Sequence, residues 1–238
     1  MTRHLIVNAD DFGLSEGVND GIIRAHEKGI VTSASLMVRW PAASAAADYA
    51  SRNVRLSVGL HFDFGEWVCQ KGKWSPSYQV VNTDDYQEVY DEAGRQLDAF
   101  RTLIRREPTH IDSHQHFHRN EPVRTVLEAV ARELSVPLRG FSHQVRHCGD
   151  FYGQTGEGEP FPEGISFENL LQILSKLPLG ASELGCHPGL DTDLQSVYRA
   201  ERFREVEVLC DPRIRSALIS EKIELCAFNA PACCFSWS

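Results

Sequence analysis

Short apolar runs alternate along the chain with segments whose apolar residues recur at helical spacing. The runs predict strands, and the spaced segments predict helices. The predicted strands cover residues 5–7, 30–38, 56–62, the histidine-rich run from 110 to 118, a weaker run at 137–141, 181–186 and 223–228. The predicted helices cover residues 15–29, 41–52, 84–108, 122–134, 166–177 and 198–220.

Capping residues support the helix boundaries. Ser15 and Ser166 precede helical spacing, where a side-chain oxygen accepts a hydrogen bond from a free backbone N–H. Pro41 stands near the first position of its helix, and Gly29 closes the first helix. Pro212 predicts a break within 198–220.

Strands that alternate with helices over the whole length imply parallel strands. We therefore predict one α/β domain spanning 1–238, with seven β/α units that form a barrel, complete or incomplete. A doubly wound open sheet is the alternative. Two stretches without periodicity, about 63–83 and 143–165, are predicted to be long loops of the kind that cover active sites.

Composition excludes several classes of function. The 238-residue chain has a formal net charge of −9 and no basic stripe, which argues against nucleic acid and anionic membranes as partners. No apolar stretch reaches the length of a membrane span, and the apolar run at 5–7 is too short for a secretion signal. Seven cysteines without a C-x-x-C pair favour a reduced, cytoplasmic protein with buried thiols. The first strand is followed by neither glycine-rich nucleotide-binding motif.

The run HIDSHQHFH at 110–118 carries the densest set of metal-binding side chains. If the segment is extended, its alternation places the acidic and imidazole groups on one face. These residues are His110, Asp112, His114, His116 and His118. Imidazole nitrogen binds zinc and similar divalent metals, so the run predicts a metal site.

Candidate catalytic groups also follow other predicted strands: Asp10 and Asp11 the first, His61 the third and His187 the sixth. In a parallel β/α barrel the carboxyl ends of all strands open onto one face, so these groups would converge on one pocket. One carboxylate and two or three imidazoles leave coordination positions open for water and substrate. The second aspartate would then be free to act as a general base.

Four motifs in this order resemble those of the YdjC-like carbohydrate deacetylases, a family that includes chitooligosaccharide deacetylase. They are NADDFGL at 8–14, GLH at 59–61, HIDSHQH at 110–116 and CHPG at 186–189. The resemblance covers most of the chain. It implies a distorted TIM-like barrel, a homodimer, one divalent metal ion per chain and removal of acetyl groups from N-acetylated sugars.

The resemblance also implies roles for individual residues. Asp11, His61 and His114 match the metal ligands, Asp10 matches the catalytic base, and His187 is the candidate general acid. The remaining acidic and imidazole groups of the histidine run are predicted to orient the ligands by hydrogen bonds, and they are His110, Asp112, His116 and His118.

Several alternatives stay open at this stage. The metal is magnesium or zinc, and the acetylated sugar is undefined. Trp67, Trp74 and Tyr78 either form a platform for a sugar ring or pack their loop onto the barrel. A metal-dependent phosphoesterase or amidohydrolase, an iron oxygenase with two histidines and one carboxylate, and a non-catalytic sugar-binding or metal-sensing domain are competing functions.

Overall fold

The computed structural model describes residues 2–70, 72–190 and 198–229. Nine strands lie in these ranges: β1 (Arg3–Phe12), β2 (Ser33–Leu36), β3 (Ser57–Phe62), β4 (Gly65–Gln70), β5 (Lys73–Gln79), β6 (Ile111–Ser113), β7 (Val145–Cys148), β8 (Gly180–Cys186) and β9 (Ile223–Cys226). The helices are α1 (Glu16–Glu27), α2 (Ala43–Arg52), α3 (Tyr86–Ile104), α4 (Val123–Leu134), α5 (Phe167–Lys176), α6 (Arg199–Leu209) and α7 (Pro212–Ser220).

Seven of the described strands form one parallel sheet in the order β6-β3-β2-β1-β8-β7, and β9 pairs with the first half of β1. The sheet is curled into a half-barrel that is surrounded by helices. Beyond β6, Leu138 extends the sheet by a single parallel bridge to Ile111. The neighbouring Arg139 crosses the interior to Glu183 of β8, which brings the two sides of the curled sheet together. The prediction of a distorted TIM-like barrel is confirmed, and the doubly wound alternative is wrong.

The capping residues predicted from the sequence form the expected hydrogen bonds at the starts of their helices. Ser15 accepts a hydrogen bond from the backbone of Val18, and Ser166 accepts one from Asn169. The predicted break at Pro212 is confirmed, because Asp211 caps a separate helix whose first residue is this proline.

The segment 63–83 is not the loop that we expected. It contains the antiparallel hairpin β4–β5, whose second strand is almost entirely exposed. A strand without a buried face has no alternation of apolar and polar residues, so its sequence carried no strand signal.

The histidine run is extended only as far as Ser113. It then turns into a 3-10 segment, His114–Arg119, in which Gln115 and His116 have positive φ angles of 47° and 56°. The prediction of one extended face from 110 to 118 is therefore wrong. Residues 137–141 make one bridge instead of a strand, and β7 lies inside 143–165, which we predicted to be a loop.

The cysteines only partly follow expectation. Cys186 is a buried free thiol, and Cys69, Cys148 and Cys210 are partly buried free thiols. Cys226 is in a disulfide bond, so the expectation of thiols alone is wrong for this residue. Cys233 and Cys234 lie outside the described residues. Within the part of the chain that the structure describes, none of the helices combines the length and apolar character that a membrane span requires.

Candidate active site

Asp10 and Asp11 lie near the carboxyl end of strand β1, and the side chains of both line the same cavity. Neighbouring side chains of a regular strand point to opposite faces. Asp11 breaks this rule because its φ is 67° and the register between β1 and β2 shifts between Ala9 and Phe12. The distorted strand end thus presents two consecutive carboxylates to one site.

Three predicted metal ligands meet beside this strand end. Asp11 Oδ1 lies 3.3 Å from His61 Nε2 and 3.1 Å from His114 Nδ1. Asp11 and His61 are buried, and His114 is partly buried. One carboxylate oxygen and two imidazole nitrogens, held by β1, β3 and the turn after β6, therefore face a common point.

Further contacts orient these three groups. Asp112 Oδ1 lies 2.7 Å from His61 Nδ1, which directs His61 Nε2 towards Asp11. Asp112 Oδ2 in turn accepts a hydrogen bond from Ser35 at 2.7 Å. Glu66 Oε1 lies 3.9 Å from His114 Nε2. A carboxylate behind a histidine ligand is typical of metal sites in proteins, so the donor set and its surroundings fit a divalent metal.

The other histidines of the run do not contact these ligands. His110 lies 3.1 Å from the Ser35 hydroxyl and 2.9 Å from the Thr109 hydroxyl. His118 lies 2.7 Å from the Ser113 hydroxyl. The expected orienting role thus fits Asp112 and is not supported for His110, His116 or His118.

The protonation of the cluster is consistent with a cation site. Burial would lower the pKa of His61, but the charges of Asp112 and Asp10 raise it to about 10. Burial would also lower the pKa of His114, but the charge and hydrogen bond of Asp11 raise it to about 9. In the absence of a metal both imidazoles carry protons that balance the carboxylates, and a bound cation would replace those protons.

Arg139 is a site residue that the sequence interpretation missed. Its guanidinium donates to both oxygens of Asp10, at 2.6 and 2.7 Å, and lies 2.7 Å from Asp112. Burial alone would raise the pKa of Asp10, but the charge and hydrogen bonds of Arg139 hold it below its usual range. Asp10 is therefore an ionised carboxylate in a fixed orientation. Nothing in the local sequence distinguished this arginine.

His187 follows β8 and reaches the same carboxylate. Its Nε2 lies 3.7 Å from Asp10 Oδ2, and its ring packs edge-on against Tyr152 and Tyr198. Its backbone N–H donates to Glu205 of α6. Burial lowers the pKa of His187 to about 4, so the imidazole is neutral at pH 7 and must gain a proton before it can act as the predicted general acid.

Arg202 of α6 was also missed. Its Nη2 lies 2.5 Å from Asp11 Oδ2, the oxygen that faces away from the two imidazoles. Burial raises the pKa of Asp11, but Arg202 and His114 outweigh that effect and keep the carboxylate ionised. Arg202 thus leaves Oδ1 as the oxygen that faces the imidazoles.

The site opens into a cavity of about 540 Å³. Residues of the β4–β5 hairpin and of the segment 149–158 line this cavity. Trp67 and Trp74 of the hairpin line the cavity and are 40% and 52% exposed. Tyr78 points elsewhere, donating to Asp63 at 2.9 Å and packing edge-on against Trp40.

The family model described as YdjC-like protein matches residues 4–220. The chain belongs to the YdjC-like family. It is 33% identical to chitooligosaccharide deacetylases of Yersinia pestis and Yersinia pseudotuberculosis, with 96% of this chain and 99% of each relative covered. The resemblance stated from the motifs is confirmed.

Solved structures show the same fold. A putative cellobiose-phosphate cleavage protein from Enterococcus faecalis superposes with a TM-score of 0.79 and 28% identity, covering 96% of this chain and 98% of that one. A family 4 carbohydrate esterase from Streptomyces lividans has a TM-score of 0.56 and 13% identity, covering 94% and 91%. At that identity the esterase shows a shared fold only.

Proposed function

We propose that this protein is a metal-dependent carbohydrate deacetylase that removes acetyl groups from N-acetylated sugars. The observation that carries the proposal is the meeting of Asp11, His61 and His114 in one cavity with Asp10 and His187. The curated relatives named chitooligosaccharide deacetylase support the choice of reaction.

In this proposal Asp11, His61 and His114 hold one divalent ion, magnesium or zinc, per chain. When bound, such an ion polarises a carbonyl oxygen and lowers the pKa of a water molecule beside it. The remaining residues determine where the protons of the reaction go.

Asp10 is the proton acceptor for the attacking water. Arg139 fixes its orientation but also weakens it as a base, so Asp10 depends on a water molecule that is already acidified. His187 is neutral beforehand and lies 3.7 Å from Asp10. It can therefore receive the proton and then donate it to the departing nitrogen as the C–N bond breaks, giving the free amine and acetic acid, whose proton passes to the amine to leave acetate and ammonium.

The aromatic side chains of the hairpin are the proposed sugar platform. Trp67 and Trp74 stay exposed on the cavity wall, although burying them would be favourable. An apolar ring face in this position suits the apolar face of a pyranose. Tyr78 is not part of the platform, because its ring and hydroxyl pack within the protein.

The experiment is an assay of acetate release from a panel of N-acetylated sugars, with bound metal measured on the same samples. Wild type and Asp11→Asn are compared, and Asp20→Asn on the exposed side of α1 serves as the control. We expect metal-dependent acetate release from wild type and the control but not from Asp11→Asn. Bound metal with phosphate release and no acetate would replace the proposal by a phosphoesterase, and saturable sugar binding without turnover would leave a binding protein.

A further inference from the structure

His147 of β7 is a buried imidazole that the reaction described above does not use. Its side chain is 8% exposed and lines the cavity of the candidate site. Neither ring nitrogen has a hydrogen-bond partner among the described residues. Buried polar atoms in folded proteins are nearly always paired, so an unpaired imidazole at a cavity wall indicates a ligand that pairs with it.

Two glycines keep one edge of this ring open. A Cβ atom on Gly149 would lie 3.2 Å from His147 Nε2, and one on Gly185 would lie 3.3 Å from Cε1. Both glycines line the same cavity. Any larger residue at either position would crowd the ring edge that carries Nε2.

Glu183 determines whether Nε2 of His147 donates or accepts a hydrogen bond. Its Oε2 lies 3.8 Å from His147 Nδ1, and its Oε1 accepts from Arg139 Nε at 2.7 Å. Burial raises the pKa of Glu183, but Arg139 outweighs this and lowers it to about 2, so the carboxylate is ionised. A carboxylate near Nδ1 favours the tautomer with its proton on Nδ1, which leaves the lone pair of Nε2 as an acceptor.

We propose that His147 is a substrate-binding residue whose Nε2 accepts a hydrogen bond from a hydroxyl group of the acetylated sugar. The inference rests on the proposed function and adds a polar contact close to the reacting centre. Arg139 joins Glu183 to Asp10, so the same guanidinium orients the base and the carboxylate behind His147. His116 lies beside it with a ring-centroid distance of 5.6 Å and an unpaired Nδ1 of its own.

The test uses the metal-loaded protein and N,N′-diacetylchitobiose as the probe, with KM and kcat for acetate release. His147→Phe keeps a ring but removes both nitrogens, and Gly149→Ala keeps His147 but crowds Nε2. We expect each variant to raise KM about tenfold while kcat changes less than about threefold. His143→Phe, an exposed residue of the same segment that does not line this cavity, should leave both constants unchanged.

Thermal unfolding separates a binding role from a structural one. Nε2 of His147 has no hydrogen bond within the protein to lose, and Glu183 keeps its bond from Arg139, so His147→Phe should leave the midpoint temperature close to that of wild type while KM rises. An unchanged KM in both variants would overturn the inference even if wild type is a deacetylase. If wild type releases no acetate from this sugar or from any other in the panel, the proposed function itself fails, and the inference fails with it.

Discussion

Asp10 and Asp11 are adjacent in the chain, but they have different partners and therefore different chemistry. Both Nη atoms of Arg139 donate hydrogen bonds to Asp10. Asp11 instead has one oxygen beside the imidazoles of His61 and His114 and accepts a hydrogen bond from Arg202 with the other. The left-handed conformation of Asp11 makes this division possible. Backbone strain of this kind is common where a side chain must be aimed at a ligand.

Replacing Asp10 with Asn tests its role as the base. The amide cannot accept the proton of the attacking water, so we expect kcat to fall by a factor of about 10² to 10⁴. Metal content should persist, because Asp10 is not among the three proposed ligands. Steady-state kinetics and metal analysis of the same sample check this. Full activity in the variant would remove Asp10 from the mechanism.

Asp112→Asn tests the residue behind His61. The carboxylate at 2.7 Å orients the imidazole, and in the proposed metal site it would make His61 a better ligand. We expect metal affinity to fall about 10- to 100-fold, measured by calorimetric titration of the metal-free protein. Asp20→Asn provides the surface control. Equal affinity in wild type and a folded Asp112→Asn protein would show that this contact does not tune the site.

Glu205→Gln tests a buried carboxylate that accepts hydrogen bonds from Tyr198 and from the backbone of His187. Burial raises the pKa of Glu205 from 4.5 to about 8. Between those values the folded state binds the proton more tightly than the unfolded state, so stability falls as the pH rises from 4.5 to 8.

Glutamine does not titrate, so the variant should lack this part of the pH dependence, which is on the order of a few kcal/mol. Urea unfolding of both proteins at several pH values between 5 and 9 measures the difference. A free energy of unfolding that declines equally in the two proteins would show that Glu205 is ionised throughout.

At the scale of elements, the hairpin and the histidine turn form one unit. The side-chain oxygen of Gln115 accepts from the backbone N–H of Trp67 at 2.8 Å, and its amide donates to the Trp67 carbonyl at 2.8 Å. The turn that carries His114 is thereby joined to the cavity wall that carries the tryptophans. The candidate metal ligand His114 and the tryptophan-lined cavity wall are consequently held in a fixed relation.

Trp74→Ala tests the hairpin as a sugar platform. Removing an exposed ring from the cavity wall should weaken binding of N,N′-diacetylchitobiose about 3- to 10-fold, because stacking contacts of this kind are modest. Isothermal titration with an inactive Asp10→Asn background avoids turnover. Tyr90→Ala, an exposed aromatic residue of α3, is the matched control. Equal affinity for Trp74→Ala and this control would remove Trp74 from the platform.

The elements that could be predicted from sequence are those that bury an apolar face or have a capping residue. Most helices in the described part of the chain follow helical spacing, and Ser15, Ser166 and Pro212 mark where three of them begin. The hairpin, β7 and the histidine turn could not be predicted. They are exposed, short or stabilised by contacts distant in sequence, such as that between Gln115 and Trp67.

At the scale of the whole molecule, the order of parallel strands and helices predicts where the site lies, but it does not predict every residue that forms the site. Parallel strands end at one face, which was sufficient to bring Asp10, Asp11, His61, His114 and His187 together. Arg139 and Arg202 were missed because they come from a bridge segment and a helix without motifs. Their roles depend on packing across the half-barrel, which local sequence does not encode.

The proposed function depends on the Asp11–His61–His114 cluster holding the metal that deacetylation requires. The most direct measurement is a stepwise titration of the metal-free protein with zinc or magnesium, recording acetate release and bound metal at each step. We expect activity to rise in proportion to occupancy and to saturate at one ion per chain. Asp11→Asn should neither bind the ion tightly nor gain activity. Full acetate release by the metal-free protein, or by metal-free Asp11→Asn, would contradict it.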